Sequence, residues 1–281
     1  MDLLLKDVRD VEWFQSKLSI QSIPYQLDSS VLYAKTQMLL SFQHRDLGWD
    51  GLTDLLTSFI HERKRLDWVL HIIKDVFLYK DELEIERIFS ITDELMTGER
   101  EDLLPFIKKK FPKIPEEIIT FLWSYEGALS LDSFFSFRGR PFLDSVTQYV
   151  EVAIDEYKME QEYQNYLDWI RRYVADKSSV EETVHVHLTG SPVLYDAKGN
   201  YFKESDLQKH IDRRLMSHHP IYVDSQLIAP LLSLSPKRIY FYTDSPNQPI
   251  IRTCLAIFEE KLEVLAMESF PFRLDISKAN F

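Results

Sequence analysis

Between residues 142 and 174 the chain places Tyr149, Val152, Met159, Tyr163, Tyr166, Ile170 and Tyr173 at helical spacing. A stripe of that length far exceeds a strand and predicts one long amphipathic helix in the middle of the chain. The same period runs earlier through Leu52, Leu55, Leu56, Phe59, Leu66, Val69, Leu70, Ile73 and Phe77, predicting a long helix after Gly48. Asp50 and Asp54 suit its positive N-terminus. Shorter helices are expected over 82–97 and 115–126, the second opened by Pro115 with Glu116 and Glu117 in its first turn and ended by Gly127. Before them, Val11, Phe14 and Leu18 mark a short amphipathic helix, and alternating runs near 20–27 and 31–42 mark a β-hairpin. The aromatic segment 134–141, with Arg138, Gly139 and Arg140, reads as a loop.

The period changes after the polar stretch 177–182. Residues 183–188 alternate, 192–195 can return antiparallel, and 196–200 supply a turn containing Gly199. Helices are predicted over 205–216, 225–234 and 250–260, and strands over 238–242 and 262–267. A helix between two strands implies a parallel crossover. The fold class expected is therefore α+β: a helix-rich N-terminal region with a small hairpin over 1–176, followed by a small mixed-sheet α/β region over 177–281.

Charge and cysteine usage narrow the partners. Lys plus Arg total 33 against 45 Asp plus Glu, a formal charge of −12, so the long-range field repels polyanions and no nucleic-acid partner is expected. The basic clusters 61–65 and 108–110 lie beside acidic segments and read as solvated helix faces. Cys254 is the single cysteine, which excludes an internal disulfide and any CxxC motif. No uncharged apolar run reaches the roughly 18 to 20 residues that span a bilayer, and the start of the chain lacks the pattern of a secretory signal. These features point to a cytoplasmic protein without a membrane span.

The block FFSFRGRPFLDSVTQYVEVAIDEYKMEQEYQNYLDWIRRYV (134–174) resembles the central block of the YtxC-like sporulation proteins. The order downstream agrees: an acidic linker, VHVHL (184–188), YDAKGN (195–200) and DSQLIAPLLSLSPKRIYFY (224–242). The resemblance extends over 134–281 and implies a protein of endospore-forming bacteria without a defined reaction. Cysteines are frequent near the end of that family's chains, whereas this one closes on ESFPFRLDISKANF.

Within the matching block, Glu156 sits inside the apolar stripe of the long helix. A carboxylate there needs a partner or a route to water. Arg138 is the expected partner, and Tyr157 and Glu160, within one turn, extend the cluster. Arg138, Glu156, Tyr157 and Glu160 thus form the candidate polar cluster, either a structural ion pair network or a ligand site.

His185 and His187 share one strand face, and with His218 and His219 they raise the idea of zinc, but nothing in the spacing joins the two pairs. No metal site is assigned. His61 and Glu62 begin an HExxH pattern that fails at Arg65, and the familiar glycine-rich phosphate loops and GxSxG are absent. The sequence thus assigns no catalytic residue and no cofactor. Its first functional reading is a noncatalytic interaction or ligand-sensing protein of spore formation, acting on an unidentified protein partner. The alternative is an enzyme with an atypical metal- or phosphate-dependent site at the strand ends of the C-terminal region, using Asp244 with His185, His187 and His218.

Overall fold

A computed structural model describes residues 1–32, 35–108, 110–203, 207 and 226–272. The chain is α+β and divides into two compact units, Met1–Met159 and Glu160–Phe281.

The first unit contains a four-stranded sheet in the order β2-β3-β1-β4, formed by β1 (Asp2–Leu5), β2 (Tyr25–Leu32), β3 (Lys35–Phe42) and β4 (Ala128–Ser130). The expected hairpin is β2–β3. The sequence reading missed both short strands that complete the sheet: β1 pairs antiparallel to β3 (Leu3 opposite Leu40) and parallel to β4 (Leu3 opposite Leu129). Helix α1 (Val8–Ile20) turns Val11, Phe14 and Leu18 inward, and Asp7 caps it through the Arg9 amide.

Helical structure then runs from α2 (His44–Phe59) through a π turn (Ile60–Lys64), α3 (Arg65–His71) and a second π turn (Ile72–Val76). A π turn holds one residue more than its α counterpart and rotates everything after it. The buried face therefore keeps the expected Val69 and Ile73, takes in Trp68 and Ile72, and leaves the expected Leu66 and Leu70 only half-buried. The same rotation turns Arg63 and Lys64 inward, which overturns the reading of 61–65 as a solvated face.

Helices α4 (Glu82–Thr97) and α5 (Glu116–Ser124) follow as expected, α4 ending on left-handed Gly98. Segment 134–141 is not a loop. Residues Leu131–Arg138 form α6, capped by the Ser130 hydroxyl, and α7 (Arg140–Asp176) starts after a single intervening glycine. A Cβ on Gly139 would lie 2.4 Å from the Phe135 carbonyl oxygen, so the close join requires that residue.

Helix α7 buries Phe142, Val146, Tyr149, Val150, Ala153 and Tyr157 in the first unit's core. Its later turns give Tyr166, Leu167, Ile170 and Val174 to the core of the second. The stripe is thus rotated from the expected one: Met159 is exposed, and Val152 and Tyr163 are half-buried.

The second unit's sheet has the order β6-β5-β7-β8, from β5 (Thr183–His187), β6 (Val193–Asp196), β7 (Arg238–Tyr242) and β8 (Leu262–Leu265). β6 is antiparallel to β5, whereas β5, β7 and β8 are mutually parallel, with α9 (Pro249–Phe258) crossing between β7 and β8. Helix α8 (Ile228–Leu234) precedes β7. The helix expected over 205–216 lies outside the described residues except for Leu207. Val184, Val186, Ile239, Phe241, Ile251 and Cys254 form the core.

Candidate functional site

Helix α7 places Glu156 half-buried, its side chain 19% exposed, but Arg138 does not meet it. The partner is Arg100, in the turn after α4, whose Nη2 donates to Glu156 Oε1 at 2.7 Å and also pairs with Asp102 at 2.9 Å. Arg138 instead lies over the Phe121 ring, 5.7 Å from its centre. At the end of α6 it is held against α5 by the tight α6–α7 join, a placement that its distance from Glu156 along the chain does not reveal. Hydrogen bonds donated to Asp102 and Glu156 hold the Arg100 guanidinium protonated more firmly than an isolated one.

The Tyr157 hydroxyl donates to Glu84 Oε1 at 2.9 Å. Burial, then the Glu84 carboxylate, push this phenol up to about 12. Glu160 lies half-buried one turn on from Glu156. Of the four residues expected together, Glu156 and Tyr157 thus reach two different partners brought by α4 and the turn after it.

Glu84 also lines a cleft of about 740 Å³. One wall is the turn after the second π turn. Phe77 N–H closes onto the Ile72 carbonyl, Leu78 takes a left-handed φ of 61°, and the chain reverses into Asp81. Asp81 caps α4 through the amides of Leu83 and Glu84. Acidic groups collect here because the start of α4 favours them. The other wall is one face of α7, where Glu151, Ile154, Asp155 and Lys158 fall at three- and four-residue steps. The cleft therefore offers four carboxylates (Asp81, Glu84, Glu151, Asp155) against two ammonium groups (Lys80, Lys158), beside the apolar Phe77, Leu78 and Ile154. Burial, with Glu84 and Asp155 nearby, raises the Tyr79 phenol. Such a lining suits a small ligand with cationic groups on an apolar frame.

A second polar constellation escaped the sequence reading altogether. Asp10 is 1% exposed, and Arg63 and Lys64 are each 8% exposed. Arg63 serves three carboxylates: Nε to Asp10 at 3.1 Å, Nη2 to Asp7 at 2.9 Å and Nη1 to Asp67 at 2.8 Å. Lys64 Nζ meets the other Asp10 oxygen at 2.7 Å. Among the described residues, Asp7, Asp10 and Asp67 are the one group with metal-ligand spacing. Arg63, Lys64 and Arg9 together balance the three carboxylates, so the cluster reads as an ion lock between α1 and the π turn. The available signal was the mismatch between Arg63–Lys64 and the hydrophobic period, which only the extra residue of a π turn resolves.

In the second unit, a smaller cleft of about 260 Å³ opens at the carboxyl ends of β5 and β7, lined by Leu188, Thr189, Gly190, Thr243, Asp244, Ser245 and Gln248. The chain leaves β5 toward β6 on one side and β7 toward β8 on the other, so this is the switch point of the sheet. His185 and His187 do share one strand face. Their rings lie against Phe272 and Phe270, and His185 Nδ1 is 2.9 Å from the Tyr242 hydroxyl. Neither histidine lines the cleft with Asp244, and His218 and His219 lie outside the described residues.

Comparison with known proteins gives a family. The model of the YtxC-like family matches residues 51–263, a span that starts well before the block at 134 and takes in the 740 Å³ cleft, Arg63, Lys64, Arg100 and both strand-end loops. "Uncharacterized protein YtxC" of Bacillus subtilis (strain 168) is 35% identical over 219 residues, covering 77% of this chain and 76% of that protein. No solved structure matches. On the extent of the family match and the identity to that relative, the chain belongs to the YtxC-like family.

Proposed function

We propose that this protein is a noncatalytic ligand sensor of spore formation, acting in the cytoplasm, that takes a small cationic ligand into the cleft between the start of α4 and α7 and reports it to a protein partner. The carrying observation is the lining of that cleft, with four carboxylates to two ammonium groups beside three apolar side chains. The Tyr157–Glu84 hydrogen bond ties the cleft wall to α7, and Glu156 on the same helix is held by Arg100. Occupation of the cleft therefore bears on groups that fix α4 against α7. The setting in sporulation rests on the resemblance to YtxC-like sporulation proteins, and the cytoplasmic one on the single cysteine; no helix among the described residues is long and apolar enough to cross a membrane.

The test is thermal unfolding with putrescine, spermidine and arginine as probes. A ligand bound only by the folded state at about 100 times its Kd stabilises by about 2.7 kcal/mol. At least one probe is expected to raise the Tm of the wild-type chain and to leave Glu151→Gln/Asp155→Asn unmoved. No response from any probe, or an equal response from the variant, removes the reading. A strain carrying the same double substitution is expected to sporulate poorly, and unchanged spore yield would separate the cleft from spore formation.

The enzymatic alternative has one observation in its favour, the cleft at the sheet's switch point with Asp244, Ser245 and Thr189 around it. It predicts stabilisation by Mg²⁺ or inorganic phosphate that Asp244→Asn abolishes. Absence of that response removes the alternative.

A further inference from the structure

The second unit's sheet has two unlike faces. Val184, Val186, Ile239 and Phe241 make one wholly apolar and fully buried. The strand alternation puts His185, His187, Tyr195, Tyr240 and Tyr242 on the other. That face is covered by the chain itself. After β8 and a 3₁₀ turn (Met267–Ser269), Phe270, Pro271 and Phe272 run back across it. The Phe270 ring centre lies 4.9 Å from His187, 5.1 Å from Tyr242 and 5.3 Å from Tyr195. Phe272 sits edge-on to His185 at 5.0 Å, and its ring takes the space that a side chain at position 199 would need, 2.5 Å from an ideal Cβ on Gly199. Both phenyl rings remain half-buried, so the strap is held by modest apolar contact.

We propose that Phe270-Pro271-Phe272 is an acid-released strap: protonation of the histidines beneath it, His187 foremost, lifts it from the sheet and bares the imidazole–tyrosine face. The inference is independent of the ligand reading of the first unit.

The argument rests on what surrounds each imidazole. His187 is 6% exposed under Phe270, and among the described residues its one hydrogen-bonding neighbour is the Thr189 hydroxyl, 3.3 Å from Nδ1. Among the described residues no carboxylate pairs with this ring, and burial holds it below its ordinary pKa. His185 is stacked on Tyr240 and Tyr242 and capped by Phe272. Burial lowers it too, partly offset by Asp196 at the end of β6, which Lys198 in turn faces. Tyr242 feels Glu263 of β8 as well as Tyr240.

Aromatic rings attract a desolvated cation, but by less than it costs to bury an imidazolium without a carboxylate partner, and the strap shuts water away from His187. Two imidazoliums on alternate residues of one strand would also repel. The sign follows. Both rings are neutral with the strap docked, so docking is complete above the ordinary histidine pKa of 6.5 and weakens as pH falls below it.

The test is hydrogen exchange of the full chain, comparing protection of residues 266–272 at pH 7.5 and 5.0 after correction for intrinsic rates. Wild type is expected to lose protection at pH 5.0, and His187→Gln to retain it. Phe270→Ala/Phe272→Ala is expected to be unprotected at both pH values while β7 stays protected. Wild-type protection that ignores pH, or a parallel loss in His187→Gln, overturns the proposal. Should His187→Gln fail to fold, imidazole titration by NMR decides: the His187 midpoint is expected to rise toward the ordinary value in Phe270→Ala/Phe272→Ala, and identical midpoints overturn the strap.

Discussion

Arg63 and Asp10 show what a single buried charge requires. Asp10 has lost nearly all its water and keeps its charge company only through Arg63 and Lys64. Burial outweighs the Lys64 ammonium and leaves the Asp10 carboxyl above its usual pKa. Asp10→Ala would leave the Lys64 ammonium in the interior with only Asp132, at 3.8 Å, to face it. Breaking a buried pair from one side costs about 3 to 5 kcal/mol, and urea unfolding of Asp10→Ala is expected to show a loss of that size. Asp7, nearer the surface, behaves oppositely: hydrogen bonds from Arg9, with the Arg63 charge, hold it down to about 2. Its stabilisation is therefore complete above pH 3.8 and lost as pH falls toward 2. Asp7→Asn is expected to flatten that part of the acid-unfolding curve. Little of this was legible beforehand. The need of Glu156 for a cation could be read from its place in the stripe, but not the choice of Arg100 over Arg138, because 56 residues separate the pair and only tertiary packing brings them together.

At the scale of elements, periodicity carried the reading wherever an element kept one regular geometry. Helices α1, α4 and α7 and strands β5 and β7 lie where the spacing put them. It failed where the geometry was irregular or the element short. The π turn at Ile60–Lys64 shifts the buried face by a residue, and four-residue β1 and three-residue β4 carry too few alternations to show a period. Segment 134–141 read as a loop because its glycine and two arginines resemble punctuation, whereas Gly139 is the joint that lets α6 run almost directly into α7. That role is specific enough to test. A methyl group on Gly139 meets backbone rather than a flexible side-chain end, so the join itself must move. Gly139→Ala, although favourable for helix propensity in general, is expected to destabilise by about 2 kcal/mol, read as a lower urea midpoint with an unchanged slope.

For the whole molecule, net charge decides how a ligand would approach. With a formal charge of −12, the protein attracts small cations and repels anions at long range, and the excess carboxylates of the 740 Å³ cleft act in the same direction. The overall charge is legible in the composition, whereas the local excess exists only in the fold, because the cleft draws Asp81 and Glu84 from one stretch of chain and Glu151 and Asp155 from another some 70 residues away. The two contributions separate by salt. Charges more than a Debye length apart, about 10 Å at 0.1 M, are largely screened, whereas direct pairing within the cleft is screened much less. Spermidine binding by calorimetry is therefore expected to weaken as ionic strength rises from 0.02 to 0.5 M, values on the order of those spanning that Debye length. Glu151→Gln should lower the affinity at both ends of the range, since it removes a carboxylate from the cleft wall itself. A carboxylate of the same unit that is not part of the cleft lining, such as Glu116→Gln at the start of α5, should weaken binding only at low salt. Equal effects of the two substitutions at high salt would mean that the cleft contributes no local recognition and that the cation is held by the general field alone.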